Sequence, residues 1–470
     1  MKWLILGPEI YFLAVGAVFL AFSVMRPNEK RDFSAALLLA GLGVAITLAA
    51  IRLEGSLFHG AYRIDLFSQL LKGLLSFGFF LVVCLCSSLK GIDETRQSEF
   101  YFLVTTCTLG MMLLVSSFEL LTLYVALELA SYSLYALVPL RSGGGQQMEA
   151  GIKYFLSGIA TSALMLFGLA FLFAATRTTL ISELIPKLPA LLNTPMAFIG
   201  LLLTLCGFFF KLALFPFHIW APSVYQGAAN QVTAFVATAT KVTAVAMLVR
   251  LVSMSDGNTS LAHVLIAFAI VSMTYGNLVA LVQEDFKRLL AYSAIAHAGY
   301  SLIGILSMNP TGYAAAVFYA LAYLAMTFTC FLVVVKVASD GRDVLIIQLA
   351  GLHRRSPLLA VALMVGVFSL GGIPPTIGFT GKFLVFNAAM ERGYFLLVLI
   401  AMINVVVSLY YYIQVVKAAF LLEPGVELPD IHLSVPVTIL TVAMVVVIVV
   451  GGIWPSFLFE LARAAVQTLR

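Results

Sequence analysis

The stretch Lys211–Asn230, KLALFPFHIWAPSVYQGAAN, decides the fold. It overlaps an apolar segment, 197 to 226, long enough to cross a bilayer, yet it holds Lys211, Pro216, His218 and Pro222. Proline removes a backbone donor and clashes with the preceding turn, so the helix breaks inside its apolar segment. Freed backbone groups at that depth are tolerated only when buried in protein or lining a wet cavity. A second segment, 357 to 390, repeats the arrangement in SLGGIPPTIGFTGKF, with Gly371, Gly372, Pro374, Pro375 and Lys382.

The rest of the chain is a solvent match for these segments. Hydrophobic residues make up 62% and charged ones 10%, and the mean hydropathy is +1.05, far from the usage of soluble domains. A spanning helix takes about 20 apolar residues. Apolar runs between charged or Gly/Pro punctuation fall at 3–25, 34–51, 67–88, 100–116, 118–140, 153–175, 197–226, 230–252, 261–282, 289–307, 312–337, 357–390, 394–421 and 434–456. The expected fold is an all-α polytopic membrane protein of about fourteen helices, with the seventh and twelfth broken.

Broken helices at matching places in two halves of a chain point to inverted repeats and an ion path between them. The spacing gives two five-helix repeats, about 100–252 and 261–421, after N-terminal helices within 1–116 and before a C-terminal helix at 434–456. This division rests on topology and punctuation; no residue-level repeat is evident. Loops after odd-numbered spans hold more Lys and Arg, among them Lys30, Arg141, Lys287 and Arg355, than the opposite set with Lys2, Arg63, Arg250 and Arg470. The positive-inside rule places the odd loops in the cytoplasm and both termini outside.

Charge inside the apolar spans is the informative feature, because each ionised group at a helix centre costs about 2.5 to 3.5 kcal/mol. Glu119 and Glu128 lie in the fifth span, Lys211 in the seventh, Lys241 mid-span in the eighth and Lys382 in the twelfth. No sixth residue reads as equally deep; Lys72 and Lys153, near span ends, read as residues that reach toward the interface. Burial opposes a charged amine while a nearby carboxylate favours it, so a lysine whose partner moves can load and release a proton. Glu128 with Lys211 is the expected coupled pair, Lys241 the central relay and Lys382 the exchange site at the far end. Glu119, nearer its span's start, reads equally well as an interfacial pairing group. His297 in SAIAHAGYSLIG and His218 in FPFHIW are further relay candidates, since imidazole titrates near neutrality. Tyr292, Tyr300, Ser293 and Ser301 read as holders of conducting water or as packing.

Other chemistry is excluded by what surrounds these charges. The formal charge of +5 is scattered without a basic run, so nucleic acid is not an expected partner. The first apolar stretch holds Pro8 and Glu9 and no small-residue cleavage site before Arg26, and reads as a retained span. Cys84, Cys86, Cys107, Cys206 and Cys330 lack disulfide or zinc spacing and read as packing. No Walker loop or dinucleotide fingerprint is present, and Gly143–Gly145 is an isolated loop triplet. Energy therefore arrives from an ion gradient or a partner.

Four stretches carry a family resemblance: GFFFKLALFPFHIWAPSVYQGAANQVTAFVATATKVTAVAMLVRL from Gly207, QEDFKRLLAYSAIAHAGYSLIG from Gln283, SLGGIPPTIGFTGKF from Ser369 and SLYYYIQVVKAAF from Ser408. They resemble the antiporter-like membrane subunits of proton-pumping NADH:quinone oxidoreductase, respiratory complex I, over roughly Glu119 to Lys417. The opening LGPEIYFLA and the chain length are most similar to the bacterial N-type branch. The resemblance implies a single antiporter-like domain over 1–470 with a polar mid-membrane axis, and Glu128, Lys211, Lys241 and Lys382 match the family's relay positions. It implies quinone reduction in partner subunits that hold NADH, FMN, iron–sulfur clusters and quinone, with no cofactor on this chain. Other membrane-arm subunits are the implied partners and the bacterial inner membrane the implied location, with periplasmic termini. Subunits of multisubunit cation/proton antiporters and membrane-bound hydrogenases share the core and are the alternative. A scaffold whose charges merely staple helices is a third reading, set against the cost of three mid-membrane lysines.

Overall fold

The computed structural model describes residues 5–143, 145–338, 340–424 and 429–469; Lys2, Gly144 and Arg470, used above, lie outside the described residues. The chain begins with α1 (Gly7–Val24) and α2 (Glu29–Ala49), joined to the next span by a hairpin of β1 (Gly55–Leu57) and β2 (Tyr62–Ile64). Asn28 starts α2 by accepting the Arg31 amide. Asp65 and Ser68 form a capping box at the start of α3 (Leu66–Leu85). Such caps satisfy amide donors that lipid cannot. Next come α4 (Gln97–Ser116), α5 (Leu120–Leu137) and α6 (Gln146–Thr176). Glu119 is the N-cap of α5: it accepts the Thr122 amide at 2.6 Å and the Thr122 hydroxyl at 2.8 Å. That role accounts for its charge.

The short α7 (Ile181–Leu191) precedes α8 (Pro195–Leu212), α9 (Trp220–Gly227), α10 (Asn230–Ala237) and α11 (Ala239–Val252). After them run α12 (Thr259–Ala280), α13 (Phe286–Leu306), α14 (Pro310–Val337) and the single turn α15 (Leu352–Arg355). The chain continues through α16 (Pro357–Gly371), α17 (Ile377–Glu391), α18 (Phe395–Leu421), α19 (Val435–Ile453) and α20 (Ser456–Gln467). Among the described residues, thirteen helical stretches, α10 and α11 counting as one, are long and apolar enough to cross a membrane. The twelfth crossing is the exception because α16 and α17 have 15 residues each, roughly 22 Å apiece, and only together reach across.

Both expected breaks are present and are built alike. At the first, Ala213 adopts a left-handed φ of 60°, and Leu214 donates its amide to Phe209 at 2.9 Å. At the second, Gly372 has φ 82° and Ile373 donates to Phe368 at 3.0 Å. Each is a Schellman-type ending that closes the carbonyls of a half-helix. Cis peptide bonds follow at Phe215–Pro216 and Pro374–Pro375. The same features thus recur in the same order and spacing, 209 matching 368, 213 matching 372 and 216 matching 375. A third interruption has no proline or glycine behind it. Between α10 and α11, Thr238 takes φ −113° and ψ −80°, and its hydroxyl donates to the Ala234 carbonyl at 2.6 Å. Threonine bonding back to residue i−4 bends a helix. Lys241 accordingly sits one turn past a break rather than in the middle of a continuous span.

The fourth to eighth crossings and the ninth to thirteenth form two five-helix units. Five is odd, so the second unit starts on the opposite face and is inverted. A packing detail repeats between them. A Cβ on Gly110 of α4 would stand 2.7 Å from the Ala130 amide of α5, and one on Gly276 of α12 would stand 2.7 Å from the Ala296 amide of α13. Helices α10, α11 and α13 are buried along their length and α14 nearly so, whereas α1, α2, α6 and α19 turn Leu13, Leu38, Phe167 and Ile439 outward. The helices bearing Lys241 and His297 are therefore the most enclosed.

Candidate functional site

Lysines end both half-helices. The Nζ of Lys241, from α11, donates to the carbonyls of Lys211 at 3.0 Å and Leu212 at 2.7 Å. The Nζ of Lys382, from α17, donates to the carbonyls of Leu370 at 2.7 Å and Gly371 at 3.1 Å. By the register of the breaks, Lys211 and Leu212 are the equivalents of Leu370 and Gly371. Equivalent carbonyl pairs thus bind an ammonium in both repeats, delivered from the next span in one and from the second half of the same span in the other. The C-terminal end of a helix is the negative end of its dipole, and an ammonium offers donors only. Each site is shaped for a cation in a place where lipid disfavours one.

Lys211 itself is held differently. Its Nζ has no hydrogen-bond partner and stands 5.6 Å from the ring centres of both Tyr135 and Tyr154, a cation–π enclosure. Glu128 is buried on α5 and accepts from the Ser162 hydroxyl of α6. The expected partners Glu128 and Lys211 interact electrostatically but are not in ion-pair contact here, because Ser162 holds the carboxylate and the tyrosines hold the ammonium. A cavity of about 10 Å³ borders Lys211, Thr240 and Thr243. That is at the lower limit for one water.

A second cavity of about 10 Å³ lies between Lys241 and His297, with Ser301 and Tyr323 in its wall. His297 continues the line toward the second break: its Nδ1 is 2.6 Å from the Tyr319 hydroxyl, and its Nε2 is 3.3 Å from that of Tyr412. Tyr412 in turn is 2.5 Å from the Ser293 hydroxyl. Lys382 stands 4.9 Å from the ring centre of Tyr300, whose hydroxyl accepts from Asn277. Tyr292 is buried beside the Tyr275 ring, and Ser301 spends its hydroxyl on the carbonyl of His297. His218 sits elsewhere: it stacks on Phe215, meets the edge of Tyr275, and its Nδ1 is without a partner.

Several contributors were not legible as site residues. Ser162, Trp220, Tyr319 and Tyr412 are hydroxyl or indole side chains in apolar spans, a signal too common to single out; the Trp220 ring lies 5.1 Å from Lys241 Nζ. Lys72 is a larger departure. It does not reach for the interface but is wholly buried, with its Nζ 2.5 Å from Glu9 Oε1. It is therefore an enclosed charge, in the helices that precede the repeats. Lys153 stays on the surface with Glu149. The cysteines are free, with Cys107 in the wall of the Lys211 cavity.

Two inverted units, each with a broken helix whose end grips a lysine, define an antiporter-like membrane protein. The family described as NADH:quinone oxidoreductase/Mrp antiporter, TM, matches residues 117–408. "NADH-quinone oxidoreductase subunit N 2" of Syntrophobacter fumaroxidans is 56% identical over 471 residues, covering 100% of both chains. A chain of respiratory complex I from Thermus thermophilus, solved with bound Aureothin, is 34% identical with a TM-score of 0.84, covering 96% of this chain and 98% of that one. A chain of the Mrp complex from Dietzia shares the fold, with a TM-score of 0.87 at 20% identity over 99% of this chain and 97% of that one. The chain belongs to the NADH:quinone oxidoreductase/Mrp antiporter family of membrane subunits, in agreement with its motifs.

Proposed function

We propose that this chain is the N-type membrane-arm subunit of a bacterial NADH:quinone oxidoreductase and moves protons along Glu128, Lys211, Lys241, His297 and Lys382. The observation that carries the proposal is the pair of equivalent half-helix ends, each holding a lysine ammonium, with His297 between them and small cavities on the way. Lys211 has two resting places, its tyrosine enclosure and the Glu128 carboxylate. Shifting Lys211 toward Glu128 stabilises its ammonium, and shifting it away favours passing the proton to Lys241; His297 and its tyrosines carry it on to Lys382. His218 is a peripheral candidate beside the first break.

Energy input belongs to partners in this proposal. NADH, FMN, iron–sulfur clusters and quinone sit in other subunits, and quinone reduction there drives the charge shifts here. The domain division is 1–116, 100–252, 261–421 and 434–456 within one unit, in the bacterial inner membrane with periplasmic termini. Full-length relatedness to subunit N favours this over a cation/proton antiporter, since the likeness to the Mrp chain is one of fold.

The test is Lys241→Ala in the assembled complex, with proton pumping measured against NADH:quinone electron transfer. Pumping is expected to fall relative to electron transfer. Wild-type pumping by an intact complex would remove Lys241 from the relay.

A further inference from the structure

Helix α3 carries a polar stripe that the relay does not use. Asp65, Gln69, Lys72 and Ser76 follow one another at four-, three- and four-residue steps, so they share one face, and all four are buried. Lys72 Nζ lies 2.5 Å from Glu9 Oε1 of α1, and the Tyr62 hydroxyl donates to the same oxygen at 2.6 Å. Glu9 is 5% exposed and Lys72 0%, so the pair is enclosed rather than interfacial.

Unmet hydrogen bonds mark the same stripe. Glu9 Oε2, Gln69 Oε1 and Ser76 Oγ are buried without a partner. Buried polar atoms are ordinarily bonded to protein or water, so three neighbouring exceptions point to water or an exchangeable proton. The stripe also has two ends. Outward, Asp65 pairs with Arg250 at 2.8 Å and with Arg63 at 3.6 Å, and the Arg63 side chain is 29% exposed. Inward, a Cβ on Gly78 would lie 3.5 Å from that of Ala239, so the antiparallel α3 and α11 bring Ser76 and Lys241 to the same depth, each two residues further toward the outer face.

We propose that Glu9 and Lys72, with the stripe from Ser76 to Asp65, form a proton-exchange port between the relay and the side of the membrane that bears the termini. It rests on the relay proposed above and extends it into the N-terminal helices. A proton reaching the carboxylate–ammonium pair converts Glu9 to the acid while Lys72 remains an ammonium, taking the pair from zero to one positive charge. Release through the Asp65 end restores the ion pair. Tyr62, Asp65 and Arg250 are the other titratable or charged groups facing it. No bond other than O–H or N–H changes.

A structural staple is the competing role, and the two separate cleanly. Replacing a buried ion pair by apolar side chains of similar size is often neutral for stability. The experiment is the double variant Glu9→Leu with Lys72→Met, and separately Glu9→Gln, in the whole complex reconstituted in vesicles, with the ratio of protons pumped to electrons transferred as readout. A port predicts an assembled complex with a lowered ratio in either variant. A wild-type ratio in both, or failure of both to assemble, overturns the port in favour of a staple. Lys241→Ala measured alongside keeps the two proposals apart: if it lowers the ratio and the Glu9 variants do not, only the port fails.

Discussion

The ammonium of Lys241 closes the carbonyl of Leu212 at 2.7 Å, so a residue of the eighth crossing completes the broken seventh. Lys382 does the same for Leu370 at 2.7 Å in the second repeat. In the proposed relay, helix ending and proton carrying are combined in one side chain, and moving either lysine leaves two buried carbonyls unpaired.

One consequence concerns Lys382. Lys382→Met leaves the Leu370 and Gly371 carbonyls unpaired, and each buried unpaired group costs about 1–3 kcal/mol. The variant complex is expected to melt earlier in a thermal assay and to pump less. Lys382→Arg, which keeps the charge and the donors, is expected to recover stability more than pumping.

The left-handed residues at the two breaks make opposite predictions. Ala213 has φ 60°, a conformation that costs a residue with a Cβ about 1–2 kcal/mol, so Ala213→Gly is expected to raise the melting temperature. Gly372→Ala is expected to lower it, since the added Cβ would meet Lys382 Cδ at 3.0 Å and Nζ at 3.3 Å as well as a φ of 82°. Equal effects of the two changes in a melting assay would contradict the account of the breaks.

Ser162, on α6, donates its hydroxyl to the Glu128 carboxylate. With Ser162→Ala the carboxylate is free to approach the ammonium, and a tighter Glu128–Lys211 pair holds its proton longer. Slower pumping with an assembled complex is the expected result; Glu128→Gln is expected to be more severe. A Ser162→Ala complex that pumps at the wild-type rate would show that Ser162 does not position the carboxylate.

The Tyr412 hydroxyl links His297 to Ser293. Tyr412→Phe keeps the ring and removes that link, so it is expected to reduce pumping severalfold with little effect on melting, while Tyr323→Phe, on the cavity wall, is expected to be milder. Equal pumping in wild type and Tyr412→Phe would take the hydroxyl out of the path.

Much of this architecture was legible in the sequence because lipid punishes exceptions. Pro216 and Pro375 announce the two breaks, and Lys211, Lys241 and Lys382 stand out against apolar neighbours. The third break was not legible, since Thr238 bends its helix through a bond to its own backbone and threonines occur throughout these spans. The Glu9–Lys72 pair was hidden for another reason: each residue lies near a span end, where an interfacial charge is ordinary, and only the packing of α1 on α3 reveals the enclosure. The hairpin β1–β2 and helices α7 and α20 are short and lie between or beyond spans, where apolar run length gives no signal. The capping of equivalent carbonyls is a relation between distant segments and needs coordinates.

The central claim is that the lysine at a half-helix end carries a proton, beyond closing the helix. Lys241→Gln tests it most directly, because the amide retains donors for the Lys211 and Leu212 carbonyls but cannot gain or lose a proton at the lysine's task. The measurement is the proton-to-electron ratio of the purified variant complex in sealed vesicles. The account predicts an assembled, electron-transferring complex with a ratio below wild type; a wild-type ratio would contradict it.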